Sequence, residues 1–205
     1  MTVVAGPNGS GKTTLTKQLL AHAWTAGATY INPDEIARDR FGDWNAPGAV
    51  RQAAVYADRL RARSIQAGDS FAYETVFSTP RRLEDLRTAG AHGFFVRFFF
   101  VSTEDPAINI SRVRRRVEVG GHDVPEDKIV ARYHRSMHNL LPALRVVDRG
   151  YVFDNSVDDR DPVLVLRTVN GAVQRTYGQR LPDWAALTLA SLKDRPDDQD
   201  SDSPT

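Results

Sequence analysis

The stretch Gly6-Pro7-Asn8-Gly9-Ser10-Gly11-Lys12-Thr13 fits the pattern GxxxxGK[ST], and it lies between a short apolar run, Thr2 to Ala5, and a segment where Leu15, Leu19 and Ala23 recur at helical spacing. That order of strand, glycine-rich turn and helix is what a phosphate-binding loop requires. The glycines let the backbone turn so that successive N–H groups face one anion, Lys12 reaches the terminal phosphates, and the hydroxyl of Thr13 can ligate Mg²⁺. The following helix adds the partial positive charge of its N-terminus. We therefore take Gly6, Pro7, Asn8, Gly9, Ser10, Gly11, Lys12, Thr13 and the adjoining Thr14 as nucleotide-binding residues, with ATP and Mg²⁺ as the expected ligands. At background residue frequencies a chance match in a chain of this size has odds on the order of one in a hundred.

Moving outward from the loop, strand and helix signals alternate. The first helix is expected to run to about Ala26, where Gly27 stops it. Ala28 to Ile31 read as a second strand, and Asn32-Pro33 ends it and opens a helix, because proline suits a first helical position and Asn caps it. After a polar loop from Phe41 to Gly48, the residues Val50, Ala53, Ala54, Ala57 and Leu60 mark a long helix that ends at Gly68. Ser70 to Tyr73 form a third strand and Arg81 to Thr88 a helix. Phe94 to Val101, interrupted only by Arg97, reads as a central strand buried on both faces. Ile110, Val113 and Val117 pattern a helix ending at Gly120-Gly121. A long helix follows, striped by Ile129, Tyr133, Met137, Leu140 and Leu144. Tyr151 to Asp154 is a further strand, and Val163 to Thr168 with Ala172 to Tyr177 read as a hairpin turning at Asn170-Gly171. A short helix from about Trp184 to Leu192 comes last.

This alternation predicts an α/β fold of the P-loop NTPase and nucleotide-kinase kind: a mostly parallel sheet covered by helices on both faces, with an added C-terminal β-hairpin. With 205 residues, the chain is long enough for one well-filled core. We expect one kinase-like domain over residues 1–192, with a lid at about 106–135 and the hairpin at 163–177. Residues 193–205, rich in Asp, Pro and Ser, are expected to form a disordered acidic tail.

Lys and Arg number 27 against 26 Asp and Glu, a net charge of +1, which argues against a chain built mainly for non-specific nucleic-acid or membrane binding. Absence of cysteine excludes disulfides and thiolate chemistry. With no long apolar run and no signal-peptide pattern, a cytoplasmic protein is expected.

Three successive strands deliver chemistry at one sheet edge: the loop after the first, Asp34 after the second, Glu74 after the third. A carboxylate beside the terminal phosphate can accept the proton of an attacking hydroxyl, and a second can hold the acceptor or act through the metal's water shell. Asp34 is assigned as base and acceptor contact, and Glu74 as acceptor contact with Thr75 and as a second candidate for the metal beside Thr13. Arg112, Arg114, Arg115 and Arg116, then Gly120 to Pro125, then Lys128, Arg132 and Arg135 look like two arginine-bearing helices joined by a loop, a lid able to neutralise a transferring phosphoryl group. Four arginines within five residues cannot all point one way. Arg116 and Arg132 are the expected catalytic members with Lys12, and His122 in the loop is a candidate substrate contact.

At this point four separated motifs, Gly6 to Thr13, Tyr30-Ile31-Asn32-Pro33-Asp34-Glu35-Ile36-Ala37, Ser70-Phe71-Ala72-Tyr73-Glu74-Thr75, and Gly120-Gly121-His122-Asp123-Val124-Pro125 with Arg132-Tyr133, resemble the zeta-toxin-like P-loop kinases in order and spacing over roughly Thr2 to Ser156. The resemblance implies an ATP-dependent small-molecule kinase. In the toxin members the acceptor is a hydroxyl of a UDP-activated amino sugar (UDP-N-acetylglucosamine kinase toxins), the Asp after the second strand is the base, and lid arginines bind phosphates. Asp34 and Glu74 match the two acidic positions. The compact chain, its Gly-Gly-His-Asp-Val-Pro lid and its hairpin depart from those toxins. The expected function is thus transfer of a γ-phosphoryl group to a hydroxyl of a nucleotide sugar or related phosphorylated metabolite, with an antitoxin as a further partner that one chain does not reveal. Two alternatives stand beside it. One is a P-loop ATPase switch without a small-molecule acceptor, weakened by the absence of an acid at the end of Phe94 to Val101. The other is a polynucleotide 5′-kinase or nucleic-acid-binding ATPase, weakened because only Tyr133 offers an aromatic stacking group among the basic residues.

Overall fold

A computed structural model describes residues 1–41, 46–121, 123–178 and 180–194. Its sheet has seven strands in the order β2-β3-β1-β4-β5-β6-β7: β1 Thr2–Ala5, β2 Thr29–Ile31, β3 Phe71–Thr75, β4 Arg97–Ser102, β5 Arg149–Asp154, β6 Val163–Val169 and β7 Ala172–Thr176. The first five pair in parallel and the last two run antiparallel. The helices are α1 Lys12–Leu20, α2 Pro33–Phe41, α3 Pro47–Ala67, α4 Pro80–Ala91, α5 Pro106–Glu118, α6 Glu126–Val146 and α7 Asp183–Lys193.

Period-two alternation along the strands sorts side chains to two faces. Val3, Phe98, Phe100 and Val152 join the large core beneath α3, α4, α6 and α7, which contribute Ala57, Leu86, Leu140 and Ala185 among others. Val4, Phe99, Val101 and Tyr151 point the opposite way, into a smaller core under Leu15 of α1. That thinner face is finished by aromatic and cationic contacts. Phe99 stacks on Tyr151 at 4.6 Å, Trp24 lies against both rings, and Arg97 and Arg167 sit over Trp24 and Tyr151. Both faces are covered, as the alternation predicts, but unequally.

Most boundaries follow the sequence reading within a few residues. The main difference is α1, which stops at Leu20 rather than near Ala26. The hydroxyl of Thr25 donates toward the carbonyls of Leu19, Leu20 and His22, and His22 Nδ1 accepts from the Trp24 amide. Side chains thus gather the helix's terminal carbonyls and turn residues 23–25 into a 3₁₀ turn. The third strand continues through Glu74 and Thr75, so Glu74 is a strand residue and not the first residue past one. The apolar run at Phe94 starts before its strand does, and Phe95 is exposed. Asn170 and Gly171, both at positive φ, turn the hairpin. Lys193 is the last residue of α7, so helix reaches one residue into the expected tail; residues 195–205 lie outside those described.

The chain crosses from β3 on one side of β1 to β4 on the other. At such a reversal the strand ends leave a crevice, and that crevice holds the glycine-rich loop.

Candidate phosphoryl-transfer site

Positive φ at Gly6, Gly9 and Gly11 shapes the loop after β1. A side chain would not fit there: a Cβ on Gly6 would run into the Val101 carbonyl, one on Gly9 would stand 2.6 Å from the Asn109 carbonyl oxygen, and one on Gly11 would strike the Asn155 amide. Two asparagines brace the loop from outside. Asn109 of α5, fully buried, donates from Nδ2 to the Asn8 carbonyl at 2.6 Å, while its Oδ1 accepts from Thr103, whose carbonyl in turn accepts from the Tyr133 hydroxyl. Asn155, just past β5, donates to the Ser10 carbonyl at 2.9 Å. Neither asparagine was singled out from the sequence, because each acts across more than a hundred residues and no local pattern marks it.

Lys12 Nζ donates to the Pro7 carbonyl at 2.7 Å, folded back onto the loop. Burial pushes its pKa down to about 8; Glu74 and Asp34 pull the other way, and Arg116 adds to the depression. Burial outweighs these two carboxylates, and a phosphate would supply the further negative charge that stabilises the cation. Ser10 Oγ, buried without a partner, is not among the groups lining the cleft; the cradle is made by Lys12 and by the glycine backbone that a Cβ would disrupt. The residues therefore fit a bound nucleotide phosphate.

Thr13 Oγ1 donates to Glu74 Oε2 at 3.2 Å. Glu74 Oε1 accepts from the Tyr30 hydroxyl at 3.0 Å, and burial followed by this carboxylate holds that hydroxyl protonated. Glu74 stands on β3, the direct neighbour of β1, paired in register with Val4. An acid is thus delivered from β3, although the end of β4 carries Ser102 and Thr103. With its proton directed at Glu74, the Thr13 oxygen keeps lone pairs for a cation. Among the described residues no cluster of three or more His, Asp or Glu could hold a metal alone, so Mg²⁺ would rest on Thr13 and phosphate oxygens, with Glu74 orienting the hydroxyl.

Asp34 opens α2 on the opposite rim. Asn32 Oδ1 accepts from its amide at 2.9 Å, the capping expected from Asn-Pro, and the Asp34 side chain is exposed to the cleft. The cleft, of about 750 Å³, is lined by Asn8, Gly9, Gly11, Lys12, Thr13 and Thr14 of the loop and α1, by Asp34, Glu74 and Thr75, and by Arg112, Arg116 and Arg132 from α5 and α6. Thr75 also caps the turn after β3: its hydroxyl accepts from Phe77 N and its carbonyl from Gly6 N.

The arginines divide as helical geometry requires. Arg116 and Arg132 both line the cleft, and Arg132 donates to Asn8 Oδ1 at 3.4 Å. Arg114 turns away to Glu126, and Arg115 pairs with Asp158. Arg112, not chosen from the sequence, also lines the cleft while bound to Asp158 and the Asn155 carbonyl. Gly121 packs on Arg116, where a Cβ would stand 2.5 Å from its Cγ, so the glycine pair after α5 shapes the backbone around that arginine. Val113 of α5, Val124 and Ile129 of α6 pack as a small separate cluster. His122 lies outside the described residues.

Sequence reasoning also missed part of the lining, where Ala54, Asp58, Arg61, Thr79 and Arg82 border the cleft. No motif spans α3 and α4, and only their packing brings these residues together.

Comparison with known proteins places this geometry in a family. A Haemophilus influenzae protein described only as uncharacterized is 30% identical over 128 residues, covering 62% of this chain and 88% of its own length. Among solved structures, the AvrRxo1-ORF1:-ORF2 complex superposes with a TM-score of 0.68 at 17% identity over 94% of this chain, which spans 64% of that one's length. A protein of the PezAT chromosomal toxin-antitoxin system of Streptococcus pneumoniae matches with a TM-score of 0.59 at 14% identity, over 95% of this chain and 88% of that one. At such identities the likeness is one of fold. A family model described as an AAA domain matches residues 1–140, two thirds of the chain and the span from the glycine-rich loop into α6, and the chain therefore belongs to that family.

Proposed function

We propose that the protein is an ATP-dependent, Mg²⁺-requiring small-molecule kinase that moves the γ-phosphoryl group to a hydroxyl of a nucleotide sugar or related phosphorylated metabolite. The observation carrying this reading is the lining of the cleft: the loop, Asp34, Glu74, Arg116 and Arg132 border one space of about 750 Å³ that Asp58, Arg61 and Arg82 also line. A switch ATPase needs no such room beyond its phosphates.

In this reading the backbone N–H groups of Gly9 to Thr13 and Lys12 hold the β- and γ-phosphates. Asp34 takes the proton of the acceptor hydroxyl as its oxygen bonds to the γ-phosphorus and the bond to the ADP oxygen breaks. Arg116 and Arg132 balance the charge on the transferring group from the lid side. When bound, Mg²⁺ supplies charge neutralisation at the phosphate oxygens. Asn109 and Asn155 hold the loop in place through the Asn8 and Ser10 carbonyls.

Similarity in fold to a toxin-antitoxin system and to a two-protein complex supports a protein partner as part of this reading. Among the described residues no helix is long and apolar enough to cross a membrane.

The test is ATP consumption with Mg²⁺ and a panel of UDP-sugars, nucleotides and a 5′-hydroxyl oligonucleotide, reading products by mass. One acceptor gaining one phosphoryl group is expected, with Asp34→Asn lowering kcat by at least ~100-fold while ATP affinity holds. ADP formed at one rate whatever is added would overturn the kinase reading in favour of the ATPase, and an unaffected Asp34→Asn rate would remove Asp34 as the base.

A further inference from the structure

The part of the cleft lining that comes from α3 and α4 is built from charged groups. Arg61 of α3 is 6% exposed. Its guanidinium lies over the Tyr73 ring, 4.9 Å from the centroid, and shares Asp58 with Arg82, which reaches the same oxygen at 2.7 Å. Arg82 also holds Asp85 at 2.6 Å, and the exposed Arg81 reaches the other Asp58 oxygen at 3.2 Å. Three guanidinium groups thus share two carboxylates. Arg61 Nε is buried without a hydrogen-bond partner, as is the Tyr73 hydroxyl. Burial first, then the Arg82 charge, pushes the Arg61 pKa down, so the surroundings leave that cation under-compensated.

A second feature faces the same wall. The twelve-residue helix α4 begins there, with Ser78 and Thr79 lining the cleft. The Thr79 side chain makes no capping hydrogen bond, Pro80 at the first position has no N–H, and the Arg82 amide donates to the Thr79 carbonyl, so this end contributes the positive pole of the helix dipole. The loop that delivers it is held rigid. Phe77 is buried at a positive φ of 59, its carbonyl accepts from Asn139 at 2.9 Å, and the Val76 carbonyl accepts from Ser136. A non-glycine residue kept in that conformation marks a segment whose position is enforced by its neighbours.

A buried guanidinium with an unfilled donor, a surplus of positive charge and a helix N-terminus converging on one wall all favour an anion. Resting on the kinase reading, we infer that Arg61, Arg82 and the start of α4 form the acceptor's anion subsite, and that the acceptor carries a phosphate or carboxylate group docked there while its hydroxyl faces Asp34. The acceptor is thereby held at both ends, its anion on α3 and α4 and its reacting oxygen at the α2 rim. Neutral polyols lack the group that this wall recognises.

The experiment uses the full chain with Lys12→Ala, which weakens anion capture by the phosphate loop, and titrates inorganic phosphate, acetate and neutral glycerol by calorimetry. Binding of phosphate or acetate but not glycerol is expected, weakened roughly tenfold or more by adding Arg61→Gln or Arg82→Gln. Phosphate alone binding points to a phosphorylated acceptor, and acetate binding as well points to a carboxylic acid. Arg82→Gln and Arg61→Lys, which preserve more of the buried network, serve if Arg61→Gln fails to fold. No anion binding, or binding indifferent to every one of these substitutions in folded protein, overturns the subsite. Nucleotide binding by the unsubstituted protein is measured in parallel: its absence would defeat the kinase reading while leaving the anion result to be judged alone.

Discussion

Replacing Lys12 by methionine should make the nucleotide-free protein more stable while destroying its use of ATP. Lys12 is half-buried and its pKa falls from 10.5 to about 8, chiefly through burial. That difference of about 2.5, at about 1.4 kcal/mol for each pKa unit, amounts to roughly 3 kcal/mol of cost in the folded state, an upper bound because water enters the cleft. Losing the hydrogen bond to the Pro7 carbonyl returns about 1 kcal/mol. A net gain of ~1–2 kcal/mol corresponds to a Tm higher by about 2–8 °C for a chain of this size. The pH dependence is the sharper readout. Below pH 8 both folded and unfolded lysine are protonated and the cost is present in full. Between about 8 and 10.5 the unfolded chain binds more protons, so wild-type stability rises with pH, and above 10.5 the cost is gone. Differential scanning calorimetry from pH 7 to 10 should show the gap between Lys12→Met and wild type closing as pH rises. Saturating Mg²⁺-ATP at pH 7 should reverse the order, because binding energy is added only to wild type. A variant that melts below wild type at pH 7, with a gap that does not change with pH, would refute the reasoning that Lys12 is held under-compensated for an anion.

Arg116→Ala should lower kcat by roughly tenfold to a hundredfold while Arg114→Ala, whose arginine points to Glu126, leaves it within about twofold; steady-state rates with the identified acceptor decide, and equal losses would sink the assignment of the lid face. Asn109→Ala removes the buried donor to the Asn8 carbonyl and should cost about 1–3 kcal/mol of stability together with a rise of roughly tenfold in the Kd for ATP. Unchanged ATP affinity in a folded Asn109→Ala protein would show that the loop keeps its shape without this brace.

What could be read locally was read where neighbouring residues determine backbone conformation. Glycines at 6, 9 and 11 require a turn with positive φ, Asn32-Pro33 caps a helix, and Asn170-Gly171 closes a hairpin, because each preference acts within a few bonds. The succession of strands and helices along the chain and the apolar stripe of α6 follow from periodicity in the same way. Even so, α1 ended early because the Thr25 hydroxyl competes for carbonyls from outside the helical pattern, a contact that spacing does not encode.

The sequence by itself determined the phosphate loop, the alternating α/β layout, and the arrival of Asp34 and Glu74 at one sheet edge, since strand direction and turn chemistry are local properties. Only the tertiary structure decided that Glu74 receives the Thr13 proton, that Arg116 and Arg132 reach the cleft while Arg114 and Arg115 are engaged elsewhere, and that Asn109 and Asn155 brace the loop. The same holds for the wall of Arg61, Asp58 and Arg82. These depend on which strands lie side by side and how helices rotate against them, and that is settled by burying the whole set of apolar faces at once.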